Sequence, residues 1–201
     1  MNTCHDNEGQ FCSGGSGGAV KIAGPSSRVS SYLSGVPKDH LIGLDRVEVM
    51  TGQKIAEFAQ SQGGFRFGIT DDVRAAYVNF PGKMPYIILR PDSTKEDFLH
   101  ELGHHVWNKL SSVQQAQYNK APGVYYGGTK RTRSTEERFS EFYTLLSTGK
   151  RIPYSGTAQT RKYATEDRRS YQQGVIGMSS VKAALQAAKL SVPKSKWADT
   201  L

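Results

Sequence analysis

Residues 93–110 have the sequence STKEDFLHELGHHVWNKL, and this stretch decides the predicted fold. At about 100° per residue in an α-helix, with His100 placed at 0°, its apolar side chains fall between about 160° and 280°. His104 falls near 40°, so both histidines lie opposite the apolar arc. The pattern predicts an amphipathic helix over Ser93–Leu110. Its predicted core-facing residues are Phe98, Leu99, Leu102, Val106 and Leu110.

The segments around this helix alternate between strand and helix patterns. Ser93 with Glu96, or Thr94 with Asp97, can form the capping box that begins the helix. Residues 111–133 are polar and contain glycine, which predicts a loop-rich segment. The other predicted elements are a helix at Thr51–Gln62, strands at Phe65–Thr70, Ala75–Phe80 and Tyr86–Arg90, and helices at Ser134–Ser147, Glu166–Gln173 and Ser179–Leu190.

Residues 100–104 are His-Glu-Leu-Gly-His, an H-E-x-x-H motif inside the predicted helix. Residues four apart lie one turn apart on the same helix face, so His100 and His104 can bind one zinc ion together. Glu101 is rotated by about 100° from His100 and about 60° from His104. It can therefore accept a proton from a coordinated water without ligating the metal. The alternative is a pair of surface histidines on an amphipathic helix.

A zinc site of this kind needs a third protein ligand. No histidine follows His105, and Cys4 and Cys12 lie in a loose N-terminal segment, so carboxylates remain. We assign Glu137 as the third ligand. The alternatives are that Glu137 completes a capping box with Ser134, or that Glu136 is the ligand instead.

Glu141 follows Glu137 by one helical turn and shares its face, opposite an apolar face. We predict that Glu141 accepts a hydrogen bond from a ligand imidazole and fixes its tautomer. A solvated surface carboxylate is the alternative. The apolar face consists of Phe139, Phe142, Tyr143 and Leu146.

These residues resemble the zincin metallopeptidases that use a glutamate ligand, the gluzincins. Glu137-Arg138-Phe139-Ser140-Glu141-Phe142-Tyr143 is similar to the second zinc helix of the lethal-factor-like toxin peptidases. The resemblance implies a small α+β zincin-like domain, in which a short mixed or antiparallel sheet packs on the H-E-x-x-H helix. It implies that His100, His104 and Glu137 bind Zn²⁺ and that Glu101 is the general base. It also implies a tyrosine that stabilises the oxyanion, with Tyr126 as candidate beside Tyr125; a structural role is the alternative for both.

We expect a flexible Gly/Ser-rich tail at 1–31, the peptidase domain at 32–190 and a frayed C-terminal tail at 191–201. The segment Asp6–Gly15 resembles glycine-rich joining segments of tailed-phage head and morphogenesis proteins. That resemblance implies a phage-encoded peptidase, with other virion proteins as partners. Met1 leads into polar residues, so we expect synthesis in the cytoplasm, with a later location in the virion or the host cytoplasm. No apolar run approaches the roughly 18 residues that a membrane span needs.

The net charge of +8 lies entirely in residues 130–201, which contain 14 Lys and Arg against 6 Asp and Glu. Such a region can hold nucleic acid or an acidic partner, or can simply be a solvated basic surface. The alternative function is therefore an inactive virion or nucleic-acid-associated protein with a peptidase-like domain. For a peptidase, the substrate is a polypeptide, and we expect Tyr86–Arg90 to bind its backbone as an edge strand. We expect His105 to be a packing or surface residue and His40 not to be a ligand.

Overall fold

The computed structural model describes residues 20–24, 26–61, 73–120, 135–150 and 163–201. These residues form an α+β fold with a mixed sheet, so the predicted class is confirmed. The chain divides into two compact units, Met1–His105 and Val106–Leu201, and the boundary falls inside helix α4. The elements are β1 (Lys21–Ala23), α1 (Ser26–Leu33), α2 (Lys38–Leu41), β2 (Arg46–Val49), α3 (Gly52–Ser61), β3 (Ala75–Val78), β4 (Tyr86–Leu89), α4 (Lys95–Lys109), α5 (Ser112–Lys120), α6 (Thr135–Thr148), α7 (Tyr163–Ala187) and α8 (Lys196–Thr200).

The first unit contains the sheet, whose strand order is β1-β2-β4-β3. Strands β1, β2 and β4 run parallel, and β3 pairs antiparallel with β4. The expected edge-strand role of Tyr86–Arg90 is wrong, because β4 lies between β2 and β3. All four residues of β4 are buried, as an apolar strand covered on both faces should be. The predicted strand at Phe65–Thr70 lies outside the described residues.

One face of the sheet packs against helix α3. Ile55 of α3 is buried together with Val78, Tyr86 and Ile88. Because side chains alternate across a strand, Tyr77 and Ile87 lie on the other face. That second face is the one that matters for the functional site, since the ring of Tyr77 contacts histidines of α4.

The start of helix α4 is tied to strand β3 by backbone and side-chain hydrogen bonds. Thr94 and Asp97 form the reciprocal capping box, with Thr94 N donating to Asp97 Oδ2 at 2.7 Å and Asp97 N donating to Thr94 Oγ1 at 3.2 Å. The hydroxyl of Ser93 instead donates to the carbonyl of Arg74, just before β3, at 2.5 Å. Arg90 N donates to the same carbonyl at 2.8 Å. These bonds fix where α4 begins relative to the sheet.

Helix α1 lies partly in the segment that we expected to be a flexible tail. Tyr32 donates its hydroxyl hydrogen to the carbonyl of Ser93 at 2.8 Å, and its ring stacks on Phe98 with centroids 6.1 Å apart. Val29 is buried as well. The structure therefore differs from the expected boundary at residue 31, because apolar side chains spaced along α1 give it a packing face. Residues 1–19 lie outside the described part of the chain.

In the second unit, three aromatic rings from α4, α5 and α6 form one cluster. Trp107 lies 5.6 Å from Tyr118 and 5.3 Å from Phe139, centroid to centroid, and Tyr118 lies 5.3 Å from Phe139. Helix α5 occupies part of the segment expected to be loop-rich. Ser111 and Gln114 form its capping box, since Ser111 N donates to Gln114 Oε1 at 2.8 Å.

The C-terminal segment also differs from expectation. A single helix, α7, replaces the two predicted at Glu166–Gln173 and Ser179–Leu190. The expected frayed tail forms α8, which Ser195 caps by accepting from Ala198 N. Trp197 Nε1 donates to the carbonyl of Lys150 at 2.7 Å, and Lys182 Nζ donates to the carbonyl of Ala198 at 2.7 Å. These bonds hold the tail against α6 and α7.

Among the described helices, none combines the length and the apolar character that a bilayer span requires.

Gly177 in helix α7 allows a close approach to Phe142 of α6, because a Cβ atom at this position would lie 2.4 Å from the phenyl ring. Replacing an interior helical glycine with alanine normally stabilises a helix by about 1 kcal/mol. Here we expect Gly177→Ala to lower the free energy of unfolding by about 1–3 kcal/mol, through overpacking. Urea unfolding measures the change. In a Phe142→Leu background the same substitution should cost less, and stabilisation by Gly177→Ala alone would contradict the packing.

The buried hydroxyl of Tyr118 has no hydrogen-bond partner within the described structure, and burial raises the pKa of Tyr118. In the unfolded chain this phenol loses its proton above about pH 10, whereas the folded chain retains it. Stability is therefore lost as the pH rises above about 10, by up to about 1.4 kcal/mol per pH unit. We expect the free energy of unfolding of Tyr118→Phe to equal or exceed that of the wild type at pH 7. Above about pH 10 its advantage over the wild type should grow.

Urea unfolding at several pH values measures this difference. Tyr32→Phe is the control, because it removes a hydroxyl that donates to a carbonyl, and it should lose about 1 kcal/mol at pH 7. If the advantage of Tyr118→Phe over the wild type in free energy of unfolding became smaller as the pH rose, the raised pKa of Tyr118 would be contradicted.

Candidate metal centre

Helix α4 carries the two histidines of the H-E-x-x-H motif on one face. The rings of His100 and His104 lie 5.1 Å apart between centroids and meet edge to face at 75°. Both are half-buried, whereas the apolar arc predicted from the sequence is fully buried. The helix therefore has the predicted rotation: its apolar residues form core, and its imidazoles remain accessible to water.

Helix α6 carries Glu137 in its first turn, and its apolar face is buried as predicted. Phe139 contacts Trp107, the residue three positions after His104 on helix α4. Thr135 donates its hydroxyl hydrogen to Asn119 Oδ1 at 2.8 Å, which ties the start of α6 to the end of α5. Ser134, the alternative capping partner of Glu137, lies outside the described residues.

His100, His104 and Glu137 come together as a group that can hold a metal ion. Each offers one ligand atom, and these three atoms lie within 4.8 Å of one another. All three residues are half-buried, which leaves room for a further ligand from solvent. These are the three ligands assigned from the sequence.

The neighbouring carboxylate, Glu136, has a different environment. Asn108 Nδ2 donates to Glu136 Oε1 at 3.5 Å. Adjacent helical residues point about 100° apart, so only one of Glu136 and Glu137 can face the two imidazoles. Within the described residues, the geometry selects Glu137 for the group.

Glu101, the predicted general base, is half-buried and is held by strand β3. Tyr77 N donates to Glu101 Oε2 at 2.7 Å. Glu101 does not belong to the metal-holding group of the described residues. Glu101 follows His100 directly on α4, and its role as general base stays a prediction.

The two other histidines of the described residues, His105 and His40, are packing residues. His105 is buried, with Nε2 at 3.1 Å from the carbonyl oxygen of Ile42 and Nδ1 at 3.5 Å from the hydroxyl of Tyr77. His40 is fully buried in α2. Neither belongs to the metal group found among the described residues.

For the remaining predicted site residues, the structure gives either burial and position alone or no description. Glu141 is half-buried on α6, one turn after Glu137. Tyr126, with Tyr125 beside it, lies outside the described residues, and so do Cys4 and Cys12. Sequence reasoning missed Tyr77 because alternation in a strand gives its face but not the helix residue that it meets.

Comparison of the chain with protein-family models, with curated proteins and with solved structures found no match.

The matched pair Glu137 and Glu136 tests the assignment of the third ligand. We expect Glu137→Gln to weaken zinc binding by at least the 10- to 100-fold that is typical for loss of a supporting partner around a metal site. Glu136→Gln should bind zinc like the wild type, because its partner is Asn108. Isothermal titration with zinc measures both affinities. Equal affinities in the two variants, or the reverse order, would remove Glu137 from the site.

Proposed function

We propose that this protein is a zinc-dependent metallopeptidase with a zincin-like, glutamate-ligand site. The observation that supports the proposal is the group formed by His100, His104 and Glu137, whose ligand atoms lie within 4.8 Å of one another. The segment Asp6–Gly15 resembles glycine-rich joining segments of tailed-phage proteins. From this resemblance we further propose that the peptidase is phage-encoded and is carried in the virion or acts as an effector. A location in the virion or host cytoplasm belongs to the same proposal.

The donor set fits zinc chemically. Two imidazole nitrogens and one carboxylate oxygen are the ligands of catalytic zinc sites with an open fourth position. His100, His104 and Glu137 would hold the ion, since each offers one ligand atom and the three atoms lie within 4.8 Å of one another. The same donor types also occur in non-haem iron sites, so metal analysis must identify the ion.

Different residues of the chain perform different steps of the proposed peptide-bond hydrolysis. When bound, zinc supplies a Lewis acid that acidifies water and polarises a peptide carbonyl. Glu101 accepts the proton of the attacking water and delivers it to the leaving amine as the C–N bond breaks. The products are a carboxylic acid and an amine. Glu141 accepts a hydrogen bond from a ligand imidazole, and Tyr126 is the proposed further donor to the oxyanion.

The substrate proposed for this site is an extended polypeptide. Among the strands of the described residues, β3, not β4, is the terminal strand of the sheet, and it lies next to α4. Its pairing with β4 directs the N–H and C=O groups of Ala75 and the C=O group of Tyr77 away from β4, whereas the N–H of Tyr77 donates to Glu101. An added peptide strand uses such groups for main-chain hydrogen bonds.

Glu101→Gln separates metal binding from catalysis. The change keeps the size of the side chain but removes its basicity, so we expect unchanged zinc affinity and loss of hydrolysis by about 10²-fold or more. The assay is cleavage of a library of unstructured peptides, read by mass spectrometry, with and without a chelator. Glu136→Gln is the matched control and should cleave like the wild type.

Three results would overturn the proposal. They are iron without zinc in the purified protein, the absence of chelator-sensitive cleavage by the wild type, and equal cleavage by Glu101→Gln and the wild type.

The alternative function is an inactive virion or nucleic-acid-associated protein. The charge asymmetry favours it, since residues 130–201 contain the whole net charge of +8. That reading predicts DNA binding that weakens steeply as salt rises, with no cleavage of peptides. Most of its basic clusters, such as Lys130–Arg133, lie outside the described residues.

A further inference from the structure

Tyr77 occupies a position on strand β3 from which its backbone N–H cannot bond to β4. Arg90 N donates to Arg74 O, and the register pairs Ala76 with Ile88 and Val78 with Tyr86. Hydrogen-bonded pairs alternate along an antiparallel ladder, so Arg74, Ala76 and Val78 bond to β4. Ala75 and Tyr77 therefore direct their N–H groups away from β4.

Three contacts join this one residue to the turn of helix α4 that carries the motif. Its N–H donates to Glu101 Oε2 at 2.7 Å. Its ring lies nearly parallel to that of His104, with 8° between planes and 6.3 Å between centroids. Its hydroxyl lies 3.5 Å from Nδ1 of His105, which is itself anchored at Nε2 on the carbonyl of Ile42.

We propose that Tyr77 is the positioning residue of this site: its backbone N–H orients the carboxylate of Glu101, and its ring orients the imidazole of His104. The inference rests on the proposed peptidase function. A glutamate side chain on a helix has several rotamers, and a charge-assisted hydrogen bond to a rigid strand selects one of them. A ring that packs flat beside an imidazole restricts its rotation in the same way.

The two roles act through different atoms of Tyr77, so different substitutions separate them. Tyr77→Phe retains the N–H and the ring and loses only the contact to His105. Tyr77→Leu retains the N–H but removes the ring. Tyr77→Pro removes the ring and the N–H together, at an edge-facing position where proline leaves the ladder bonds intact. Ala75→Pro is the matched control for proline in β3, because the N–H of Ala75 is likewise directed away from β4.

The measurements are zinc affinity, the visible spectrum of the Co²⁺-substituted protein, and kcat and KM on the peptide that the wild type cleaves best. We expect Tyr77→Phe to match the wild type in all of them. Tyr77→Leu should weaken zinc binding by about 10-fold, as loss of a partner that orients a ligand does, and should change the Co²⁺ spectrum. Tyr77→Pro should bind zinc like Tyr77→Leu but lose a further factor of about 10–100 in kcat at similar KM, because misplacing a catalytic group slows the chemical step.

Several outcomes would overturn the inference. Zinc affinity and a Co²⁺ spectrum in Tyr77→Leu that equal those of the wild type would exclude the role of the ring. A kcat for Tyr77→Pro equal to that of Tyr77→Leu, or an equal loss in Ala75→Pro, would exclude the role of the N–H. If Tyr77→Pro does not fold by circular dichroism, the comparison of Tyr77→Phe with Tyr77→Leu still decides the role of the ring.

Failure of this inference differs from failure of the proposed function. The wild type and Glu101→Gln test the peptidase, whereas the Tyr77 series tests the support of its residues. If the wild type is an active zinc peptidase and the Tyr77 variants match it in every measurement, only the positioning role is refuted. A protein that binds zinc and cleaves nothing would refute the peptidase, while the affinities and Co²⁺ spectra would still decide the contact with His104.

Discussion

The rotation of helix α4 about its own axis decides which of its side chains become core and which become ligands. One side of the helix carries Leu102 and Val106, which are fully buried. The cap formed by Thr94 and Asp97, and the bond from the hydroxyl of Ser93 to the carbonyl of Arg74 just before β3, fix where the helix begins. With the start and the buried arc both fixed, the two imidazoles have only one direction in which to point.

The sequence predicted this helix well because its signals are local and strong. A period of 3.6 residues over four turns, with a capping pair at the start, defines both the extent and the rotation of α4. Helix α6 was predicted for the same reason, and the burial of Phe139 and Leu146 agrees. The grouping of His100, His104 and Glu137 follows from the two rotations, and helix spacing is enough to propose it.

The features that were not predicted from the sequence depend on partners distant in the chain, or have local signals that the prediction did not use. Strand β2 has a local signal, since Val47 and Val49 alternate with charged residues, but it is only four residues long and pairs with β1 and β4. The uninterrupted apolar run of β4 was itself evidence for an interior strand, since an edge strand with one wet face alternates. Helix α5 had a readable capping box in Ser111 and Gln114, but its lack of an apolar period concealed it. The contact of Tyr77 with Glu101 depends on how strand and helix meet, which no local pattern encodes.

The choice between Glu136 and Glu137 shows how the apolar core sets the chemistry. The two carboxylates are adjacent and chemically alike, so only the rotation of α6 distinguishes them. That rotation is fixed by Phe139, which packs against Trp107 on the helix that carries both imidazoles. Neither ring offers a ligand atom. The precision of the proposed site therefore comes from side chains that take no part in its chemistry.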